Sequence, residues 1–290
     1  MSNASGRLFV VATPIGNQGD ISTRACEILA QVDAVAAEDT RHSGRLLSQL
    51  GIRQRLISVH EHNEASRIES LLEQLRQGED IALISDAGTP LISDPGFRLV
   101  RAARRAGVEV LSVPGPSSII AALSVAGLPS DRFVYEGFLP ARSSARVRRL
   151  EALAGLEQTL ILLEAGRRVP ETLADLIRVM GAEREAALCR ELTKRFETTY
   201  TDTLAAVADW VAADADRQRG EFVLLVAAGE SSATATQASV PPVADILRML
   251  RDEGLGAKAA ARVAARLTGE SANALYGQAS QAGFDDSPPR

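Results

Sequence analysis

Apolar residues follow two patterns over the first 130 positions, and the patterns alternate. Short, mostly apolar runs at 8–12, 33–38, 56–59, 81–84 and 108–113 have the length and composition of strands buried on both faces. Between them lie segments with apolar residues spaced three and four apart. One opens at Ser22 and runs through Ile28 and Leu29, and another carries Ile68, Leu71, Leu72 and Leu75. A third sets Phe97, Leu99, Val100 and Ala103 beside Arg98, Arg101, Arg104 and Arg105, and stops at Gly107. An apolar helix, with Ser124 as its one polar residue, follows at 119–125. Strand and helix in alternation predict a parallel α/β sheet.

Each predicted strand ends in a polar or Gly/Pro-rich turn. Thr13-Pro14-Ile15-Gly16-Asn17 follows the first, Glu38-Asp39-Thr40-Arg41-His42 the second, and His60-Glu61-His62-Asn63-Glu64 the third. Ser85-Asp86-Ala87-Gly88-Thr89-Pro90 and Pro114-Gly115-Pro116-Ser117 follow the last two. Open α/β sheets keep their ligands at this carboxyl edge. Gly88 permits positive φ and lets a ligand approach bare backbone. The first turn is not Gly-x-Gly-x-x-Gly, so it lacks the dinucleotide fingerprint.

The pattern changes at Phe133. Strands are predicted at 133–140, 159–164, 186–189 and 221–227, a helix at 171–180, and a helix or hairpin around 201–212, while 141–149 is basic and short of large apolar side chains. Residues 231–242 are rich in Ala, Ser, Thr and Pro and carry no charge, which predicts a linker. Three short helices follow at 243–252, 257–267 and 271–282, broken at Gly254 and Gly269, a helix-turn-helix-like unit. The expected division is therefore an α/β domain at 7–130, a second at 131–230, the linker at 231–242 and a helical module at 243–284.

Charge narrows the partners. A net charge of −5 over 290 residues excludes a generally basic coat but leaves room for local patches. Arg142, Arg146, Arg148 and Arg149 form one, and Arg167, Arg168, Lys194 and Arg195 add a second. Lys258, Arg262 and Arg266, four apart, share a helical face. Three patches in an acidic protein point to RNA, and Phe133, Tyr135 and Phe138 beside the first are candidates for stacking on bases. No apolar run approaches the roughly 18 to 20 residues that span a bilayer, and the start has no leader pattern, so a cytoplasmic protein without a membrane partner is expected. Cys26 and Cys189 are too far apart in sequence, and too few, for a disulfide or zinc framework.

All three histidines fall between 42 and 62, among Glu38, Asp39, Arg41, Glu61 and Glu64 at adjacent strand ends. That mixture offers a general base and a cation to a weak nucleophile such as a hydroxyl. Asp39 and Glu61 have a structural alternative, as helix caps or partners of Arg41. His60 and His62 have metal-compatible spacing, but no further Cys/His set completes a site, so no metal is expected.

Eight motifs stand in the order of a known family: Ala12-Thr-Pro-Ile-Gly-Asn17, Ala37-Glu-Asp-Thr-Arg-His42, His60-Glu-His-Asn-Glu64, Ser85-Asp-Ala-Gly-Thr-Pro90, Ser93-Asp-Pro-Gly96, Pro114-Gly-Pro-Ser117, Glu136-Gly-Phe-Leu-Pro140 and Arg190-Glu-Leu-Thr-Lys194. The chain resembles the ribosomal RNA small subunit methyltransferase I family of the tetrapyrrole methylase superfamily over most of 7–282, including Asn273-Ala-Leu-Tyr276. The resemblance implies two α/β domains with a cofactor cleft between them, usually in a homodimer. It implies methyl transfer from S-adenosylmethionine to the ribose 2′-hydroxyl of a cytidine in 16S ribosomal RNA, naked or in the assembled subunit. By the superfamily pattern, Ile15, Ala87, Gly88, Leu91, Ser117, Ser118, Leu163, Cys189 and Phe222 line the donor cleft. Glu38, Asp39, Arg41, His60, Glu61 and His62 are the candidates for chemistry. Arg142, Arg146, Arg148, Arg149, Arg167, Lys194, Lys258, Arg262 and Arg266 are the candidates for RNA contact. One motif departs: Glu164-Ala165-Gly166-Arg167-Arg168 stands where the family usually has Glu-Ser-Pro-His-Arg.

Two rival readings stay open at this point. A carbon methyltransferase acting on a tetrapyrrole ring would share the superfamily, though the basic patches and C-terminal helices favour RNA. A non-enzymatic ligand sensor reading DNA through its C-terminal helices would need a basic recognition helix, and 271–282 has neither Arg nor Lys.

Overall fold

The computed structural model describes residues 5–60, 63–229 and 242–281. The predicted strands of the first half form one parallel sheet: β1 (Arg7–Val11), β2 (Ala34–Ala37), β3 (Leu56–Ser58), β4 (Ile81–Ile84) and β5 (Glu109–Val113), in the order β3-β2-β4-β1-β5. Every residue of β2 and β4 is buried. Because side chains alternate across a strand, Ile81 and Leu83 enter one core with Leu71, Leu75, Leu99 and Ala103, while Ala82 and Ile84 enter the opposite core with Ala25, Leu29 and Leu47. Helices Glu64–Arg76 and Phe97–Arg105 cover the first face, and Thr23–Gln31 and Thr40–Gln49 the second. Ser22 caps Thr23–Gln31 as its sequence suggests, its Oγ accepting from the Ala25 amide at 3.1 Å.

Strand order locates the site. From β1 the chain crosses over β4 to reach β2, and from β4 it crosses over β1 to reach β5. The loops after these two adjacent strands therefore diverge, which makes their carboxyl ends the switch point where open sheets carry ligands.

The second sheet is mixed: β6 (Phe133–Phe138), β7 (Thr159–Ala165), β8 (Glu185–Arg190), β9 (Thr198–Thr203) and β10 (Glu221–Val226), ordered β6-β7-β10-β8-β9. Only β6 and β7 run parallel. One face packs on helices Ser143–Leu153, Val169–Met180 and Leu204–Ala212. The other packs on helix Ser118–Val125, where Ile119 and Ala122 meet Ile161, Ala187, Cys189 and Val223. A helix that precedes residue 130 in sequence thus closes the core of the second sheet, and both sheets belong to one compact unit within 1–229.

Two local readings change. Residues 198–212 form both alternatives in succession, β9 and then helix Leu204–Ala212, whose start Thr203 caps by accepting from Ala206 N at 3.2 Å. The basic stretch after 141 is helix Ser143–Leu153, with Leu150 and Leu153 on the core. Its arginines obscure that apolar stripe in the sequence.

The second unit lies within 230–290. Its helices are Val243–Asp252, Ala257–Thr268 and Ala272–Gln281. They close on a core of small residues, Ala257, Ala260, Ala261, Ala264 and Ala279, with Ile246, Leu247 and Leu275. Of the expected linker, 231–241 lies outside the described residues. No described helix is long and apolar enough to cross a membrane.

Candidate active site

At the switch point the loops after β1 and β4 are tied together: Thr13 N donates to Gly88 O at 2.9 Å and Gly88 N to Thr13 O at 3.1 Å. Gly88 has φ of +83°, and a Cβ there would sit 3.3 Å from Ile15 Cγ2, so both the turn and its packing want glycine. Beside this clasp opens a cleft of about 500 Å³ between the two sheets. The first half contributes Ile15, Glu38, Asp86, Ala87, Asp94 and Ser118, and the second Leu163, Cys189 and Phe222 from three neighbouring strands.

Five carboxylates line this cleft: Glu38, Asp86, Asp94, Glu164 and Glu221. Glu164 is held by Arg168 at 3.3 Å and by the Thr172 hydroxyl at 2.7 Å, and Glu221 by Lys194 at 2.9 Å. Glu38, Asp86 and Asp94 pair with no cation among the described residues. Burial, then the charges of Asp94 and Asp86, push Glu38 up from 4.5 to about 6. Burial also raises Asp94, against a hydrogen bond from Ser85. The Cys189 thiol is pushed up to about 11 by burial, so it is a neutral wall and not a nucleophile.

Backbone strain gathers around the cleft. Leu91 and Ser93 have φ of 74° and 64°, and across the gap Glu191 and Thr193 have 51° and 65°. Non-glycine residues in this region cost energy and cluster at ligand clamps. The two halves meet where Ser93 Oγ hydrogen-bonds Tyr135 OH, at a bulge in β6 that leaves Glu136 without a partner in β7. The departing motif has a local explanation. Gly166 N donates to Gly220 O at 3.0 Å, and a Cβ on Gly166 would come within 2.4 Å of Gln218 O. Proline, usual at this position, has no N–H to give.

Of the residues expected at the donor site, Ile15, Ala87, Ser118, Leu163, Cys189 and Phe222 line the cleft. Gly88, Leu91 and Ser117 are not among the lining residues, though each is next in sequence to one that is: Ala87, Ile92 and Ser118. Of the described residues expected to do chemistry, Glu38 alone lines the cleft. Asp39 caps helix Thr40–Gln49, accepting from Arg41 N at 2.8 Å and His42 N at 3.4 Å, and pairs with the exposed Arg41 guanidinium at 3.3 Å. His60 lies outside the cleft lining, its backbone N donating to Asn63 Oδ1. Glu61 and His62 lie outside the described residues. Glu64 points into the core and accepts from Leu99 N at 3.0 Å, capping the start of helix Phe97–Arg105, whose own cap residue is a glycine. Sequence reasoning misses Asp86 and Asp94 as site residues, although both stand in the quoted motifs.

The basic candidates divide in the same way. Arg146 must be withdrawn from RNA contact: it is 1% exposed, its Nε donates to Asp175 Oδ2 at 2.7 Å, and it anchors helix Ser143–Leu153 on Val169–Met180. Arg149 is clamped on Glu136 by two 2.6 Å bonds. Lys194 is occupied by Glu191 and Glu221. Arg142, Arg148 and Arg167 are exposed, as are Lys258, Arg262 and Arg266 in the second unit.

The capping role of Asp39 makes a prediction. Asp39→Ala should lower stability in denaturant unfolding, and Asp39→Ser should recover most of the loss. Turnover should survive in the Ser variant. A Ser variant as stable as the parent but inactive would give Asp39 a part in the chemistry.

A doubly wound parallel sheet facing a mixed sheet across an acidic cleft defines a methyltransferase of the tetrapyrrole methylase class, and residues 7–208 match the tetrapyrrole (corrin/porphyrin) methylase family. A uroporphyrin-III-C-methyltransferase structure from Thermus thermophilus superposes with TM-score 0.52 at 22% identity, covering 77% of this chain and 94% of that one. The methyltransferase CobJ gives TM-score 0.57 at 18% identity, with 77% and 95% covered. At such identities the likeness establishes the fold alone. Sequence relatives are much nearer. The ribosomal RNA small subunit methyltransferase I of Pseudomonas aeruginosa is 52% identical over 278 residues, 96% of this chain and 98% of that protein. Its counterpart in Escherichia coli O157:H7 is 48% identical over 276 residues, 94% of each. The chain belongs to the ribosomal RNA small subunit methyltransferase I family.

Proposed function

We propose that this protein is a cytoplasmic enzyme that moves a methyl group from S-adenosylmethionine to the ribose 2′-hydroxyl of a cytidine in 16S ribosomal RNA. The observation that carries the donor assignment is the set of three carboxylates, Glu38, Asp86 and Asp94, that have no cation partner among the described residues, in a cleft of about 500 Å³. That volume is within the roughly 300–1,000 Å³ usual for small-molecule sites. A negative, partly desolvated cleft suits a ligand bearing a positive sulfur and an ammonium. The ligand's carboxylate is matched by the amino end of helix Ser118–Val125, which has no side-chain cap. When bound, S-adenosylmethionine supplies a methyl already activated by its sulfonium. What remains for the protein is orientation and proton removal.

Glu38 is the group suited to that removal. With its pKa raised to about 6 it is a stronger base than an ordinary carboxylate and is still mostly ionised at neutral pH. The proton released by the ribose hydroxyl passes to its carboxylate and then to water.

RNA is favoured over a tetrapyrrole by charge. Like charges four apart on helix Ala257–Thr268 destabilise a helix unless a polyanion answers them, and Lys258, Arg262 and Arg266 are placed that way. The direct test incubates the protein and labelled donor with small subunits lacking native modifications, then analyses the nucleosides by mass. A 2′-O-methylated cytidine supports the reading; donor binding with methylation of uroporphyrinogen instead would replace it.

The exposed arginines predict a salt signature. Arg142→Ala with Arg148→Ala should reduce the log–log salt slope of RNA binding by about 0.7 for each phosphate that is no longer neutralised. Donor affinity should not change. Equal slopes for parent and variant would remove both residues from the interface.

A further inference from the structure

A second cavity, about 550 Å³, adjoins the donor cleft and shares Ile15, Asp86, Ala87 and Glu221 with it. Asp86 and Glu221 carry carboxylates into this cavity, but its remaining walls add His42, Arg45 and Lys194, with the amides of Gln18 and Gln49. His42 and Arg45, three apart on helix Thr40–Gln49, project to one side. Arg45 is exposed and has no carboxylate partner among the described residues. Lys194 is seated more firmly. A Cβ on Gly16 would lie 2.4 Å from Lys194 Cγ, so the lysine stem lies against bare backbone, and Glu191 and Glu221 fix its ammonium at 3.0 and 2.9 Å. Burial pulls that ammonium's pKa down, but those two hydrogen bonds outweigh it and leave Lys194 raised, hence charged. Gln18 and Gln49 hydrogen-bond each other across the cavity.

A methyl acceptor must come within bonding distance of the donor while its own charges stay clear of the donor cleft's carboxylates. A compartment that opens onto that cleft through Asp86 and Ala87 meets the first need, and Arg45 on its helix wall gives the acceptor's charge a cation away from those carboxylates. We infer that the second cavity holds the acceptor ribonucleotide, with its phosphate on Arg45 and its ribose at the Asp86–Ala87 wall facing the donor. The size accommodates one nucleotide, and Arg45 supplies the forked donor that phosphate favours. The inference rests on RNA as the acceptor and adds the place and the residues that hold it.

Full-length Arg45→Ala, Arg45→Lys and Gln49→Trp enzymes, assayed on unmodified small subunits, test it. Arg45→Ala should raise KM for the subunit by roughly ten- to a hundredfold, with kcat changed little at saturation and donor affinity by calorimetry unchanged. Arg45→Lys, which keeps the charge but loses the fork, should recover only part of the loss. Gln49→Trp, which fills the cavity, should lower methylation at least about tenfold with donor affinity kept. An unaltered KM in Arg45→Ala together with full activity in Gln49→Trp would overturn the inference and leave the RNA reading intact. A parent enzyme that binds donor yet makes no 2′-O-methylcytidine in the subunit would overturn both.

Discussion

Replacing Glu38 with Gln is expected to lower methyl transfer by about a hundred- to ten-thousandfold, the range of a lost general base. The donor should still bind. In the parent enzyme, kcat should rise with pH through about 6, as Glu38 loses its proton, and level off above it. In Glu38→Gln that rise should vanish. Stability moves the other way. Between 4.5 and about 6 the folded protein holds the Glu38 proton more tightly than the unfolded chain does. Folding is therefore favoured below 4.5, and this contribution is lost as pH rises through the folded value. Glu38→Gln should thus be at least as stable as the parent above pH 6. Unchanged turnover with an unchanged pH profile would move the base elsewhere in the cleft, to Asp86 or Asp94.

Asp175→Ala is expected to destabilise the protein by about 3–5 kcal/mol, because it leaves the buried Arg146 guanidinium without its carboxylate. Among the described residues, the other acid near Arg146 is the largely exposed Glu171, at 3.5 Å, with the Ala141 carbonyl as a weaker acceptor. Urea or thermal unfolding would show the loss. The double variant Arg146→Met with Asp175→Leu should recover much of it, since apolar pairs of similar size often replace buried ion pairs without penalty. RNA affinity of that double variant should match the parent's. A stable double variant with a weaker RNA salt dependence would return Arg146 to the interface.

These two residues show where sequence reasoning succeeds and where it stops. Glu38 is legible because it ends an apolar run that can only be a buried strand, and strand ends are where such sheets do chemistry. Arg146 misleads because it stands among three other arginines, and its partner Asp175 is 29 positions away on another helix. Asp86 and Asp94 are visible as motif residues, but their effect on Glu38 is not. It depends on β4 inserting next to β2, a pairing that joins residues 47 positions apart. Helix Ser143–Leu153 is hidden for a related reason, since its apolar stripe is narrow and its polar face is crowded with arginine.

By itself the sequence determined the parallel first sheet, its polar strand ends, the three C-terminal helices and the family, because apolar periodicity, turn residues and ordered motifs are local properties of a chain. The tertiary structure alone decided which charges are exposed, which carboxylates share one cleft, and that a cavity carrying Arg45 opens beside it. Burial, ion pairing and pKa shifts depend on distances between residues far apart in sequence, and only strand order and helix packing set those distances.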